Sequence, residues 1–483
     1  MNGQKNKVIQ RSIGWSLFSE VAAKFVTPVT NMLLARILTP DDFGVLAICN
    51  MLVSFVDIVT DAGFGKYLVQ ADMHSEEEKR RYADVAFWSN FGISVVAYLI
   101  IVRNRIKIAG LLGGEEYAAI ICVASFQLIL TSVSSIQTGL FRRGFEFKKL
   151  FAARFAVALV PLLIAVPLAY FTGSYWALVI GSLSGALINS VMLTILSPWK
   201  PRFYYSFALL KKMFHFSFWS LCEGLANWMI FWFDTFLVTK AYSAYYVGLY
   251  KNSANMVMSI MGMITASMSP VLLSVLSRVK DNRREYEELY LTIQRIMLYV
   301  IIPMGVGLFC YRDMVTYILF GSRWSEAADI IGAWGLMMTC SVIFYSFPAE
   351  LYKSKGVPKI LFFLQSSYLI FVIPVSLLAA GSGFWNFVYV RCFCIVEEII
   401  ISMVFINRYF SISPGKVFSN MKKPLFGSCT IIVTYKVFSI FTYTRLLEFL
   451  SMLFSAFAYL VILYLCFRDD LIRAKEKIQE VKL

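Results

Sequence analysis

Charged side chains recur at helical spacing inside long apolar runs of this sequence. Glu20 and Lys24 lie four residues apart in the first run, so they share one face of a helix and can pair. Asp57 and Asp61 repeat this spacing in the second run. Lipid tolerates such groups only where they face protein or a watery cavity. The spacing therefore predicts membrane helices that line a polar cavity.

Two later apolar runs also carry polar residues at helical spacing, which form stripes along one face of each helix. Glu223, Asn227 and Asp234 follow one face of the first of them, and Asn255 follows Lys251 on the second. Carboxylates, amides and a cation in such positions could bind an ion or a polar solute. The alternative is that the stripes only join helices, since Ser and Asn often form hydrogen bonds between membrane helices.

Three more cations lie within apolar runs. Arg391 shares a helix face with Glu398, seven residues later, and is either functional or part of a buried tie between helices. Arg154 and Arg295 lie near the ends of their runs, from which long side chains can reach the membrane surface. We expect the latter two to snorkel.

Asp41 and Asp42 raise the question of a catalytic carboxylate pair, as in some membrane glycosyltransferases. However, Thr39 has the residue type of a helix N-cap, and Pro40 suits the first helical position. The two acids would then face the positive end of the helix dipole. The loop is also too short to build a sugar-nucleotide site. We therefore predict that the pair starts a helix.

The composition is that of a membrane protein. Of 483 residues, 59% are hydrophobic and 16% are charged, whereas soluble domains average about 25% charged residues. Runs of about 20 apolar residues recur along the whole chain, each long enough to cross a bilayer. We predict fourteen spans, at residues 12–35, 43–64, 84–102, 117–141, 150–171, 174–196, 213–238, 248–275, 291–311, 326–347, 360–380, 384–407, 425–443 and 446–467.

The net charge of +15 is distributed as expected for a membrane protein and not for a nucleic-acid-binding one. Lys and Arg concentrate in alternate loops, so the positive-inside rule places both termini in the cytoplasm. The segment "RNRIK" at residues 103–107 departs from this pattern. The two histidines and nine cysteines lack metal-ligand or disulfide spacing, so we expect no metal and no cofactor.

A faint internal repeat divides the chain. "GWSLFSEVAAKF" matches "FWSLCEGLANWM", and the same ungapped register sets "RILTPDDFGVL" over "KAYSAYYVGLY". Thr39 then corresponds to Ser243, and Gly44 to Gly248. We predict an all-α polytopic fold with two pseudo-symmetric six-helix lobes, at 1–205 and 206–410, related by an axis along the membrane normal. Residues 411–483 would add two membrane helices and a cytoplasmic tail.

The first eighty residues resemble a known family. "LLARILTPDDFGVLA" and "DIVTDAGFGKYLVQ" are similar to segments of Wzx-type polysaccharide flippases, within the multidrug/oligosaccharidyl-lipid/polysaccharide exporter superfamily. The resemblance implies two six-helix bundles around a central cavity lined by the first two helices of each. It also implies a non-enzymatic, alternating-access carrier of undecaprenyl-diphosphate-linked oligosaccharides in the bacterial inner membrane. The expected partners are membrane lipids, with a polysaccharide polymerase and glycosyltransferases.

The resemblance gives the polar residues provisional roles. A carrier of this kind needs cations for the diphosphate and amide or aromatic groups for the sugar, and its carboxylates could bind a coupling ion. The candidate diphosphate ligands are Lys24, Lys251, Arg391, Arg154 and Arg295. The candidate sugar contacts are Asn31, Asn50, Asn227, Asn255 and Trp219. The candidates for ion coupling or gating are Glu20, Asp57, Asp61, Glu223, Asp234 and Glu398.

Two other functions compete with this one. A drug or metabolite antiporter of the same superfamily would favour an apolar, acidic cavity, against which Lys24 and Lys251 argue. A membrane glycosyltransferase or polysaccharide polymerase would need a large external loop carrying acids, His or Arg. This chain has no loop of that length.

Overall fold

The computed structural model describes residues 26–73, 75–279, 281–357, 359–441 and 444–482. All regular secondary structure within these ranges is helical, which confirms the predicted fold class. The chain forms two compact units, Met1–Lys251 and Asn252–Leu483. The boundary between these units lies inside one long helix. The predicted lobes have a different boundary, which follows the sequence repeat, and they stay a prediction.

The first unit contains eleven helices and the start of a twelfth among its described residues. Pro161–Ala165 is a π-helical turn that joins two of them. The helices are α1 (residues 26–37), α2 (Pro40–Asp61), α3 (Phe64–Gln70), α4 (Glu76–Arg103), α5 (Arg105–Leu111), α6 (Ala118–Ser125), α7 (Gln127–Arg143), α8 (Phe147–Val160), α9 (Val166–Thr172), α10 (Trp176–Leu196), α11 (Phe207–Ala241) and α12 (Ala244–Arg278).

The second unit begins within α12 and adds nine helices in the part of the chain that the structure describes. Val342–Ser346 is again a π-helical turn. The helices are α13 (Arg283–Cys310), α14 (Arg312–Phe320), α15 (Ala327–Ser341), α16 (Phe347–Ser354), α17 (Lys359–Ala380), α18 (Phe384–Phe393), α19 (Ile395–Phe410), α20 (Pro414–Ser439) and α21 (Arg445–Lys482).

Nine helical segments within the described ranges are long and apolar enough to cross a membrane. Each coincides with a predicted span. Of the other five predicted spans, 12–35 lies mostly outside the described residues, 213–238 and 248–275 lie within α11 and α12, and 425–443 overlaps α20. The remaining one, 384–407, is broken at Cys394 between α18 and α19. The count of fourteen therefore stays a prediction.

Helix α2 begins with a capping box. The Asp42 amide donates to the Thr39 hydroxyl, and the Asp42 carboxylate accepts from the Thr39 amide at 2.9 Å. Pro40 occupies the first helical turn, as predicted. The contacts match the reciprocal pattern that satisfies unpaired N–H groups at a helix start. The structure thus confirms that Asp42 caps a helix.

The first turns of α2 and α12 touch through their main chains. A Cβ atom added to Gly44 would lie 2.6 Å from the carbonyl carbon of Ala244, and one added to Gly248 would lie 2.7 Å from that of Pro40. Only glycine permits such an approach. The contact is reciprocal, because the sequence repeat matches Pro40 with Ala244 and Gly44 with Gly248.

In the second unit, α20 and α21 pack on α13 through aromatic and hydroxyl groups. Tyr459 on α21 donates a hydrogen bond to the Tyr299 carbonyl at 2.6 Å, and Tyr311 donates to the Ser451 carbonyl at 3.1 Å. Both tyrosines are buried with Ile431 of α20. The last two helices are therefore an integral part of the second unit.

Candidate functional site

The acidic face of α2 meets a hydroxyl face of α7. Asp57 accepts a hydrogen bond from Thr131 at 2.8 Å, and Asp61 accepts one from Ser135. Both acids and both hydroxyls are spaced by four residues, so the two faces match turn for turn. Asp57 and Asp61 are thus held against α7, and their predicted role in ion coupling stays a prediction.

The chain turns sharply between α2 and α3. Ala62 and Gly63 both adopt positive φ angles, of 44° and 77°. A Cβ atom on Gly63 would also overlap the Ser220 side chain on α11. Glycine is therefore required at position 63 both for the backbone conformation and for the close approach. This turn brings α3 against α11.

Helix α3 is fixed along its length. Phe64 and Leu68, four residues apart, are buried in a core cluster with Trp199. Arg143 donates hydrogen bonds to the carbonyls of Leu68 and Ala71, at 2.9 and 2.7 Å. A cation at the C-terminal end of a helix satisfies unpaired carbonyl groups and interacts favourably with the negative end of the helix dipole. These contacts hold α3 in place, and so fix the positions from which its remaining side chains extend.

Lys66 extends from the free face of α3 to α11. Its ammonium lies 2.9 Å from the Glu223 carboxylate, and the two side chains are 50% and 64% exposed. Lys66 was not among the candidates from the sequence. Periodicity within α2 could not indicate it, because the turn at Gly63 takes Lys66 out of that helix.

Glu223 is the middle residue of an exposed strip on α11. Trp219 and Asn227 lie one helical turn before and after it on the same face. Trp219 is 66% exposed and Asn227 is also exposed. We call Trp219, Glu223 and Asn227 the α11 strip. Together with Lys66 it offers an aromatic ring, a carboxylate, an amide and an ammonium group on one surface of the first unit.

The neighbouring face of α11 is packed against α2. The indole N–H of Trp228 donates to the Ser54 hydroxyl at 3.1 Å and to the Met51 carbonyl at 3.3 Å. A Cβ atom on Gly224 would lie 2.8 Å from an Ile58 methyl carbon. These contacts fix the rotation of α11 and leave the α11 strip uncovered.

Lys251 lies in an aromatic enclosure. It is 5% exposed, donates to the Phe231 carbonyl at 2.8 Å, and lies 3.6 and 4.1 Å from the ring centres of Phe231 and Trp232. Nearby, Tyr250 donates to the Asp234 carboxylate at 3.2 Å. In this conformation a diphosphate could reach Lys251 only after the rings move, so its proposed role requires a rearrangement.

Arg391 in the second unit is also a buried cation beside an aromatic side chain. It is 6% exposed, donates to the Tyr368 hydroxyl at 2.6 Å, and lies close enough to Glu398 for electrostatic attraction. Glu398 also accepts a hydrogen bond from Ser341. These contacts agree with the buried tie between helices that the sequence left open.

The remaining candidates are dispersed. Arg295 donates to the Asn420 side-chain carbonyl from two nitrogens, at 3.1 and 2.9 Å, and so joins α13 to α20. Arg154 is exposed on α8. Asn31, Asn50 and Asn255 are half-buried on α1, α2 and α12. Glu20 and Lys24 lie outside the described residues.

The described ranges contain no group of three or more His, Cys, Asp or Glu side chains that could hold a metal ion. The groups brought together in the first unit are instead Lys66 and the α11 strip. They suit a solute that carries both hydroxyl groups and an anion.

Comparison with known proteins identifies the family. Residues 33–329 match the family described as "Polysaccharide biosynthesis protein". The chain is 26% identical over 340 residues to the succinoglycan biosynthesis transport protein ExoT of Rhizobium meliloti, covering 69% of this chain and 68% of that protein. It is 19% identical over 323 residues to the lipopolysaccharide biosynthesis protein WzxC of Escherichia coli, covering 66% and 64%.

The fold is that of a solved transporter. The structure matches the lipid II flippase MurJ, in an inward closed conformation, with a TM-score of 0.77 and 13% identity over 95% of this chain and 99% of that one. At this identity the likeness concerns the fold alone. The family match, which covers more than half of the sequence, confirms the resemblance inferred from the first eighty residues: the chain belongs to the polysaccharide biosynthesis protein family.

Proposed function

We propose that the protein is a flippase for oligosaccharide units linked to undecaprenyl diphosphate, in the synthesis of a surface polysaccharide. It would move these units from the cytoplasmic to the outer leaflet of the inner membrane by alternating access, with both of its termini in the cytoplasm. The proposal is supported by the family, by relatives named for polysaccharide transport, and by the fold.

The observation that carries the proposal is the exposure of the α11 strip beside Lys66. Lipid does not tolerate an exposed carboxylate and ammonium pair, so this surface suits water or a polar solute. Indole rings present an apolar face with a polar edge, amides and carboxylates hydrogen bond with hydroxyl groups, and ammonium groups bind phosphate. A glycan diphosphate headgroup combines all three partners.

The membrane potential could drive such a step. Each elementary charge gains about 2.3 kcal/mol per 100 mV when it crosses with the potential, so a dianionic headgroup gains about 4–5 kcal/mol on leaving a negative interior. Transport would then need no coupled ion. Glycosyltransferases that supply the unit and a polymerase that consumes it are the partners that this function requires.

A reconstituted transport assay tests the proposal. Proteoliposomes would be loaded with a fluorescent oligosaccharide on undecaprenyl diphosphate, and outward exposure of the headgroup measured with a membrane-impermeant quencher. We expect flipping well above protein-free vesicles and slower flipping by Trp219→Ala and Asn227→Ala. Phe214→Ala is the matched control, because Phe214 is exposed on the same helix but on another face. Transport equal to that of empty vesicles would overturn the proposal, as would glycan polymerisation by the purified protein.

A further inference from the structure

Resting on the proposed function, we propose that Lys66 is a ligand for the phosphate of the transported headgroup, and that Glu223 holds Lys66 in place until the phosphate displaces it. The two charges lie 2.9 Å apart and connect α3 to α11. On α11, Glu223 lies between the other two members of the α11 strip, Trp219 and Asn227.

The local backbone is built to present Lys66 at this point. Gly63 supplies the positive φ angle and the close approach to Ser220. Gly139 lets α7 approach α3, since a Cβ atom on Gly139 would lie 3.0 Å from the Gly65 carbonyl oxygen. The segment from Gly63 to Lys66 therefore holds one ammonium group against α11.

At Lys66, a phosphate can readily replace the Glu223 carboxylate. Exposed ion pairs are weak because water screens the charges, so separating Lys66 from Glu223 costs little. A phosphate brings more negative charge and more acceptor oxygens than a carboxylate. Asp61, which accepts a hydrogen bond from Ser135, also attracts Lys66 electrostatically. Because Glu223 is 64% exposed, a phosphate can replace it at Lys66 without leaving an unpaired buried charge.

The α11 strip then determines what lies beside the phosphate. Four helical residues span about 6 Å, roughly one sugar ring. A phosphate at Lys66 would place the first sugar of the glycan next to Trp219 or Asn227, and would release Glu223 to accept a hydrogen bond from a sugar hydroxyl. The ligand class is thus a lipid-linked sugar phosphate, bound at its phosphate and first sugar.

Binding measurements on two single variants separate this role from a merely structural ion pair. The probes are undecaprenyl diphosphate and uncharged undecaprenol, titrated into the purified full-length protein in nanodiscs. For Lys66→Gln we expect binding of the diphosphate to weaken at least tenfold, and for Glu223→Gln we expect it to tighten severalfold. Neither change should alter binding of undecaprenol, and Lys66→Arg should retain most of the affinity for the diphosphate.

A structural pair would behave symmetrically, so equal weakening by Lys66→Gln and Glu223→Gln would overturn the inference. The control is Lys79→Gln, which breaks a lysine–glutamate pair within α4, with Glu76 at 2.8 Å, and should leave the diphosphate affinity unchanged. Thermal unfolding of each variant identifies any loss of fold. If the wild type flips the glycan lipid but Lys66→Gln binds diphosphate normally, this inference fails while the proposed function stands.

Discussion

Replacing Gly44 by alanine tests the reciprocal contact between α2 and α12. A methyl group at this position would lie 2.6 Å from the Ala244 carbonyl carbon, whereas carbon atoms prefer about 3.5–4.0 Å. The Ala244 carbonyl oxygen would lie nearer still, so the overlap is at least about 1 Å, and no side-chain rotation relieves it because the obstacle is main chain. We expect a loss of about 3 kcal/mol, at the upper end of the range for overpacking.

Thermal unfolding in detergent measures this effect against a matched control. A Cβ atom on Gly92, within α4, meets nothing within 4 Å. Alanine is favoured over glycine in a helix by about 0.5–1 kcal/mol, so Gly92→Ala should unfold at a higher temperature than the wild type. Gly44→Ala and Gly248→Ala should both unfold at a lower one. If all three variants unfolded together, the close contact between main chains would be refuted.

Two other substitutions test the interpretation of single residues. Asp42→Ala removes the acceptor of the Thr39 amide, so we expect stability to fall by about 1 kcal/mol with the flipping rate unchanged; loss of flipping in a folded protein would contradict a purely capping role. Asn420→Ala removes the acceptor shared by two nitrogens of Arg295 and should destabilise the protein by about 1–3 kcal/mol. The control is Asn386→Ala, because the exposed Asn386 amide donates only a local hydrogen bond, to the Ser382 carbonyl just before α18, and equal melting of these two variants would count against the tie.

Local patterns predicted local structure well. The cap at Thr39 and the helical fold both follow from neighbouring residues, because capping and amphipathicity depend on spacings of a few positions. The α11 strip could be predicted in part, since Trp219, Glu223 and Asn227 are spaced by one helical turn. Sequence periodicity established that they share a face, but only packing decides which face stays exposed.

Contacts between distant segments could not be predicted in this way. Lys66 and Glu223 are joined because two residues with positive φ break the helix at Ala62 and Gly63, and nothing in the apolar periodicity marks that break. For Lys251, the sequence indicated a cation in a membrane helix, but not that Phe231 and Trp232 would cover it. Burial depends on which rings the fold brings near, and that information lies outside a single helix.

The meeting of α2 and α12 also bears on how the gene arose. Each of the two first turns presents a glycine to the main chain of the other, as the two copies of a symmetric dimer would do across a twofold axis. A half-length ancestor that paired with itself would have made this contact twice with one set of residues. Fusion of two such halves would have let each side diverge; at matched positions of the repeat the first copy has Pro40 and the second Ala244, and only the first has the acids Asp41 and Asp42.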